Sequence, residues 1–161
     1  MTEVSHYQTL FTYTVDTAQH LLDKARELNE EQLRADPGYG RGSIYSLFLH
    51  LLSALQGWRI GLETGQQPQA IRPEDYPHLE ALRRALEEER QAWQAYLASI
   101  SDDAVGAELE LITRHGTQRR FERWRILQHL VLHGMQHHAE IAQRLTAYGH
   151  SPGDIDFIFY P

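Results

Sequence analysis

Four histidines, His129, His133, His137 and His138, fall within the stretch from Trp124 to Tyr148. His133 and His137 are four residues apart. On a helix this spacing stacks two imidazoles on one face, about 5–6 Å apart at Cβ. Two neutral rings so placed can share one divalent cation. The plainer reading is two histidines at a helix margin, satisfied by water. What favours a metal is the neighbourhood: the pair borders an apolar stripe of Leu127, Leu130, Val131, Gly134, Ile141, Ala142 and Leu145. His129 also stands four residues from His133, so spacing alone leaves both pairs open. On a helical wheel His129 lies further from the stripe, which suits a supporting or surface role. His138 points away from His133 and reads as packing or surface.

A third donor has to come from elsewhere in the chain. His50 is the candidate, at the margin of a second apolar stripe formed by Ile44, Leu47, Phe48, Leu51, Leu55, Trp58 and Leu62. Alone, such a histidine is more often structural. If its helix faces the later one, three imidazoles hold a cation and leave a position open for water or substrate. That is the catalytic pattern, because structural zinc is normally closed by four protein ligands. An open metal lowers the pKa of bound water and polarises an incoming group.

Other chemistries fit less well. There is no His-Glu-x-x-His, so the metalloprotease motif is missing. A di-iron bundle site wants paired Glu-x-x-His motifs, and Glu3 to His6 is a single copy at the terminus. No Gly-x-Ser-x-Gly elbow is present. Absence of cysteine removes thiolate ligands, disulfides and cysteine nucleophiles together. The segment Asp36-Pro37-Gly38-Tyr39-Gly40-Arg41-Gly42 has the glycines of a phosphate loop but neither its lysine nor a preceding hydrophobic strand.

The elements that must position the histidines follow from periodicity. Phe11, Val15, Ala18, Leu22 and Ala25 recur at helical steps and predict a helix from about Glu3 to Leu28, with a short turn from Asn29 to Leu33. Ser43 is a good N-cap for the His50 helix, which Gly65-Gln66-Gln67-Pro68 ends. Leu79, Leu82, Leu86, Trp93 and Leu97 predict a third helix from about His78 to Ile100, with Glu87-Glu88-Glu89 on a solvated face. Between Ser101 and Arg123, alternation at Leu109, Leu111 and Thr113 and the turn His115-Gly116-Thr117 predict a short hairpin or extended excursion. The last helix starts near Arg123 and stops at Tyr148-Gly149-His150-Ser151-Pro152-Gly153. The tail, with Ile155, Phe157, Ile158, Phe159 and Tyr160, is apolar enough to be expected as an extended segment across the helices. Four long helices predict an all-α four-helix bundle, whose core is where facing helices place metal ligands.

Totals bound the rest. The 161 residues fit one domain, 1–161, with a sizeable core. No apolar run is long enough for a membrane span, and the first residues lack a signal-peptide profile, so a cytoplasmic location is expected. A net charge of −7 argues against nucleic acid, since phosphate contacts call for a basic face. The basic cluster Arg114, Arg119, Arg120, Arg123 and Arg125 reads as ion pairs or as a local anchor for an anionic substrate, with Arg119, Arg120 and Arg123 as anchors and Tyr39 or Tyr45 as pocket walls.

The chain resembles the DinB-like (DinB/YfiT) family. The likeness lies in His50-Leu51-Leu52 with Trp58, in the run from His129 to Ala142, and in Gly149-His150-Ser151-Pro152-Gly153-Asp154-Ile155-Asp156-Phe157-Ile158. Ala139 is a departure, since many relatives carry arginine after the paired histidines. The resemblance implies an up-down-down-up bundle, commonly a homodimer, with one ligand from the second helix and two from the fourth. Those positions are His50, His133 and His137. It also implies nickel, zinc or iron as the metal, and in some members a thiol-S-transferase activity on a small-molecule substrate with a low-molecular-weight thiol.

Two function classes follow. The first is a metal-dependent enzyme, a thiol-S-transferase or a hydrolase using metal-bound hydroxide. The second is a non-catalytic, metal-binding or stress-related dimeric protein. If metal binds only the folded state it raises the melting temperature, and that rise is expected to weaken below about pH 6 as the histidines protonate.

Overall fold

The computed structural model describes residues 2–161. It is mostly helical with one small sheet. Four long helices are present: α1 (Glu3–Ala25), α3 (Ile44–Thr64), α4 (Leu79–Ala98) and α6 (Arg123–Ala147). Two short ones, α2 (Glu30–Arg34) and α5 (Asp102–Gly106), and the hairpin β1 (Glu108–Ile112) and β2 (Gln118–Glu122) lie between them. Among the described residues no helix is long and apolar enough to cross a membrane.

Side-chain caps set the helix starts. Thr2 accepts from the amide of Ser5 at the head of α1, and Ser43 from that of Ser46 at the head of α3. Asn29 and Gln32 form a reciprocal capping box, so the expected turn after α1 is a short helix. Ser101 accepts from the amide of Ala104 and so caps α5, inside a stretch expected to be extended. Gly65 ends α3 in the left-handed region at φ +79°, where a Cβ would be strained.

α1 packs against α4 and α6, and α3 packs against the same two. Their inner faces carry Leu21, Leu47, Phe48, Leu52, Leu82, Leu86, Leu97 and Leu127, all almost completely buried. Each such side chain contributes about 1.5–3 kcal/mol of transfer free energy, so these faces hold the helices in register. α1 and α6 come especially close at Gly134, where an added Cβ would lie 2.8 Å from Cγ2 of Thr14.

The hairpin runs antiparallel, Glu108 opposite Glu122 and Ile112 opposite Gln118, and turns at Gly116 (φ +76°). It is tied to the end of α3 by two backbone bonds: the amide of Gln67 to the carbonyl of Ile112, and the amide of Ile112 to the carbonyl of Gly65, each 2.8 Å. Leu111 is buried beneath it. This anchorage brings the hairpin turn beside the His50 face of α3.

Two expectations need correction. Glu89 is not on a solvated face: it is buried, and both its oxygens accept from Arg59 at 2.7 and 2.8 Å. Periodicity cannot foresee an arginine on a neighbouring helix. The tail is only partly held. Tyr13 donates to the carbonyl of Ile155 and Tyr160 to Asp16, yet Ile158 and Phe159 are 80% and 71% exposed.

Candidate metal centre

The apolar residues Leu47, Phe48, Leu51 and Leu52 turn one side of α3 into the core. His50 is left at the edge of that side, half-buried and facing α6. On α6 the buried set Leu130, Val131, Gly134 and Ile141 does the same for His133 and His137. His133 is half-buried and His137 is 2% exposed.

The three rings meet through their Nε2 atoms. Nε2 of His133 lies 2.9 Å from that of His50 and 3.2 Å from that of His137. All three ligating atoms fall within 4.8 Å of one another. Imidazoles on a cation at about 2.0–2.1 Å stand about 2.9–3.4 Å apart at nitrogen for right-angled to tetrahedral geometry. The spacing therefore suits one ion.

The donor set supports the same conclusion. Nδ1 of His137 lies 3.2 Å from Oε2 of Glu140, one turn further along α6. A carboxylate only accepts, so Nδ1 carries the hydrogen and the neutral ring turns a lone pair on Nε2 inward. The proton on His133 can satisfy one neighbour, not both. A cation would satisfy all three nitrogens at once. A carboxylate behind a ligating imidazole is also the usual way its tautomer and orientation are fixed.

Burial keeps two of the rings, His50 and His133, neutral, as a metal ligand must be. Burial first, then the charge of Arg41, any proton on His137 and the charge of Arg114, pull His50 down to about 4. Burial pulls His133 down to about 3, and a proton on His137 or on His50 would oppose its protonation further.

On its open side the cluster faces a cavity of about 480 Å³. Its lining includes His50, His133, His129 and Trp58 from the helices, and Thr113, Arg114, His115, Thr117 and Arg119 from the hairpin. A larger cavity, about 570 Å³, lies between the start of α1 and Trp124, but it gathers only His6 and Glu3 among metal-binding residue types.

A sequence model described as DinB family matches residues 1–161. This chain belongs to the DinB family. No curated protein matches it.

Within this DinB chain the sequence-derived candidates separate clearly. His50, His133 and His137 come together. His129 is exposed, its ring between Trp58 at 5.9 Å and His133 at 5.4 Å, on the cavity wall rather than in the cluster. His138 is fully buried with neither nitrogen hydrogen-bonded, and burial, then His137 and His133, hold it neutral with a pKa of about 3. It is packing.

Of the suggested anion anchors only Arg119 lines the cavity. Arg120 is bound to Glu110, and Arg123 donates to the carbonyl of Ala104. Tyr45 is buried with its hydroxyl on the carbonyls of Pro73 and Tyr76, and Tyr39 stands under Arg144 beside a separate cavity. Sequence reasoning missed Glu140, Arg41 and His115. Glu140 had a readable signal, a carboxylate three residues after a candidate ligand on one helix face. Arg41 and His115 had none, because loop residues have no periodicity.

Proposed function

We propose that this DinB chain is a metal-dependent enzyme in which His50, His133 and His137 hold one divalent cation, nickel, zinc or iron, and that it transfers a low-molecular-weight thiol to a small electrophile. The observation that carries this reading is the convergence of three Nε2 atoms, with Glu140 behind one ring and a cavity in front. Three protein donors with space before them match an open site rather than a closed structural one. A cation held there favours the thiolate, the reactive form of a thiol, and polarises an electrophile.

The chain's own residues do the rest. His50 and His133, kept neutral by burial, remain able to ligate at acidic pH. Glu140 holds the proton of His137 on Nδ1. Trp58 and His129 give the cavity an aromatic wall. Cytoplasm, where thiols stay reduced, is the setting this chemistry needs.

The same reading takes 1–161 as one domain with helices ordered up-down-down-up. In support, Tyr7 meets Trp124 and Thr14 meets Gly134, so contacts climb together along α1 and α6. Phe11 with Trp93 and Gln19 with Arg83 run oppositely along α1 and α4. His50 with His133 and Gly42 with Arg144 do so between the start of α3 and α6. A homodimer belongs to the proposal as well, and the exposed Leu132 and Trp124 of α6 are apolar surface it would use.

The test is metal content of purified protein beside His50→Ala, His133→Ala and His137→Ala, followed by thiol consumption with an electrophile under each metal. Loss of metal in all three variants, with turnover only in the loaded wild type, is expected. Metal retained in any of the three overturns that ligand. Full loading without turnover on any thiol, or hydrolysis without thiol, turns the reading to a non-catalytic metal protein or a hydrolase.

A further inference from the structure

We infer that the cavity in front of the histidines is a binding site for a small dianionic organic molecule, a dicarboxylate or a phosphate monoester, anchored by Arg41, Arg114 and Arg119. This rests on the reading of that cavity as the substrate site.

The argument starts from charge. The chain has 22 acidic and 15 basic residues, so a random patch of surface is acidic. The cavity lining holds three arginines and no aspartate or glutamate. Elsewhere most arginines sit against carboxylates, among them Arg26 on Glu80, Arg34 on Glu30, Arg59 on Glu89, Arg72 on Asp75 and Arg120 on Glu110, while Arg123 and Arg144 donate to backbone carbonyls. Among the described residues Arg41, Arg114 and Arg119 have no carboxylate within 4.0 Å. Three like charges gathered without counterions, on one concave wall, repel one another, and an anion relieves that repulsion.

The three come from separate segments: the loop before α3, the hairpin turn and β2. Arg114 is built in rather than left loose. Its backbone amide donates to Oε1 of the buried Gln67 at 3.2 Å. Its guanidinium donates to the hydroxyl and the carbonyl of Ser53, both at 3.4 Å. The group lies directly over Gly57, where an added Cβ would stand 2.6 Å from Nη2. Glycine in the middle of a helix is less favourable than alanine, and here its bare Cα seats the arginine. A guanidinium has five donors in a planar fork matched to carboxylate or phosphate, so the two bonds to Ser53 leave donors over for a ligand. Trp58, with the ring of His129 beside it, supplies an aromatic wall for the carbon part of the molecule. The anionic end is thus held by the arginines while the rest lies toward the histidines.

Binding by the full-length, chelator-treated protein tests this, with succinate and phenyl phosphate as probes, succinamide as the uncharged control, and calorimetry as readout. At least one dianion is expected to bind saturably, more weakly as salt rises, while succinamide does not bind. Which dianion binds more tightly separates a carboxylate from a phosphate ligand. Arg114→Gln and Arg119→Gln should each weaken binding about tenfold or more, Arg119→Gln with unchanged melting temperature, and Gly57→Ala should weaken it by displacing Arg114. Arg119 is exposed, so its variant stays folded whatever Arg114 contributes to stability. Arg84→Gln, on an exposed face of α4, should change nothing. No saturable binding of either dianion, or binding indifferent to Arg114→Gln and Arg119→Gln, overturns the inference. Metal content is measured separately. A protein that binds a dianion but no metal keeps this inference and loses the proposed function; one that binds metal but no dianion does the reverse.

Discussion

Glu140 accepts from Nδ1 of His137 across 3.2 Å, one turn apart on α6, and this contact decides which nitrogen His137 presents to the other two histidines. Removing the carboxylate leaves the ring free to change tautomer. Glu140→Ala is therefore expected to lower metal affinity about 10–100-fold while leaving the fold intact. Competition against a chromophoric chelator measures it, and unchanged affinity would remove Glu140 from the site.

Acid should destabilise the metal-free protein over a defined window. In an unfolded chain His50 and His133 titrate near about 6.5. In the folded chain burial holds them at about 4 and about 3. Between those values the unfolded chain takes up protons that the folded chain refuses, so stability is full above about pH 6.5 and declines as pH falls through the folded values. Melting temperature should fall steadily from pH 6.5 to 4, with a shallower slope in His133→Leu.

The same shifts move the metal's acid limit. Histidines of ordinary pKa would lose metal-linked stabilisation below about pH 6, whereas His50 and His133, still neutral in the fold, keep it to about pH 5. Thermal melts with and without added nickel or zinc, from pH 7 to 4.5, check this. A metal-linked rise already gone at pH 5.5 would show that the rings are ordinary histidines.

Gly134→Ala tests the closest approach of α1 and α6. Helix propensity favours alanine by about 1 kcal/mol. The new methyl would meet Cγ2 of Thr14 at 2.8 Å, in a side chain whose hydroxyl is bonded to the carbonyl of Leu10. Overpacking of that kind costs about 1–3 kcal/mol, so net destabilisation is expected in urea unfolding. Thr14→Ala in the same chain should restore the loss, which a merely helical effect would not do.

The Arg59–Glu89 pair is the buried charge on which α3 and α4 depend. Their side chains are 14% and 6% exposed. Glu89→Ala leaves the guanidinium with only the more exposed Glu63, and should cost about 3–5 kcal/mol. Replacing both by methionine should cost much less, because no charge is then stranded. Denaturant midpoints of the two variants give the comparison.

What the amino-acid sequence alone determined was whatever repeats with a helical period. The apolar stripes located the four long helices. Ser43 and Gly65 bracketed the His50 helix, and the offset of His50, His133 and His137 from their stripes was visible on a wheel, because a helix fixes side-chain direction from spacing alone. The turn at His115-Gly116-Thr117 was legible from its glycine, although the short helix capped by Ser101 was hidden in a stretch with little periodicity. Tertiary structure decided everything that depends on which face meets which. Only packing of α3 against α6 brings Nε2 of His50 to 2.9 Å from that of His133. Only the hairpin's backbone bonds to the end of α3 place Arg114 over Gly57. The burial of Glu89 against Arg59 and the clustering of Arg41, Arg114 and Arg119 have the same origin. Such contacts join residues tens of positions apart, and their energy depends on distance and desolvation in three dimensions, which no local period encodes.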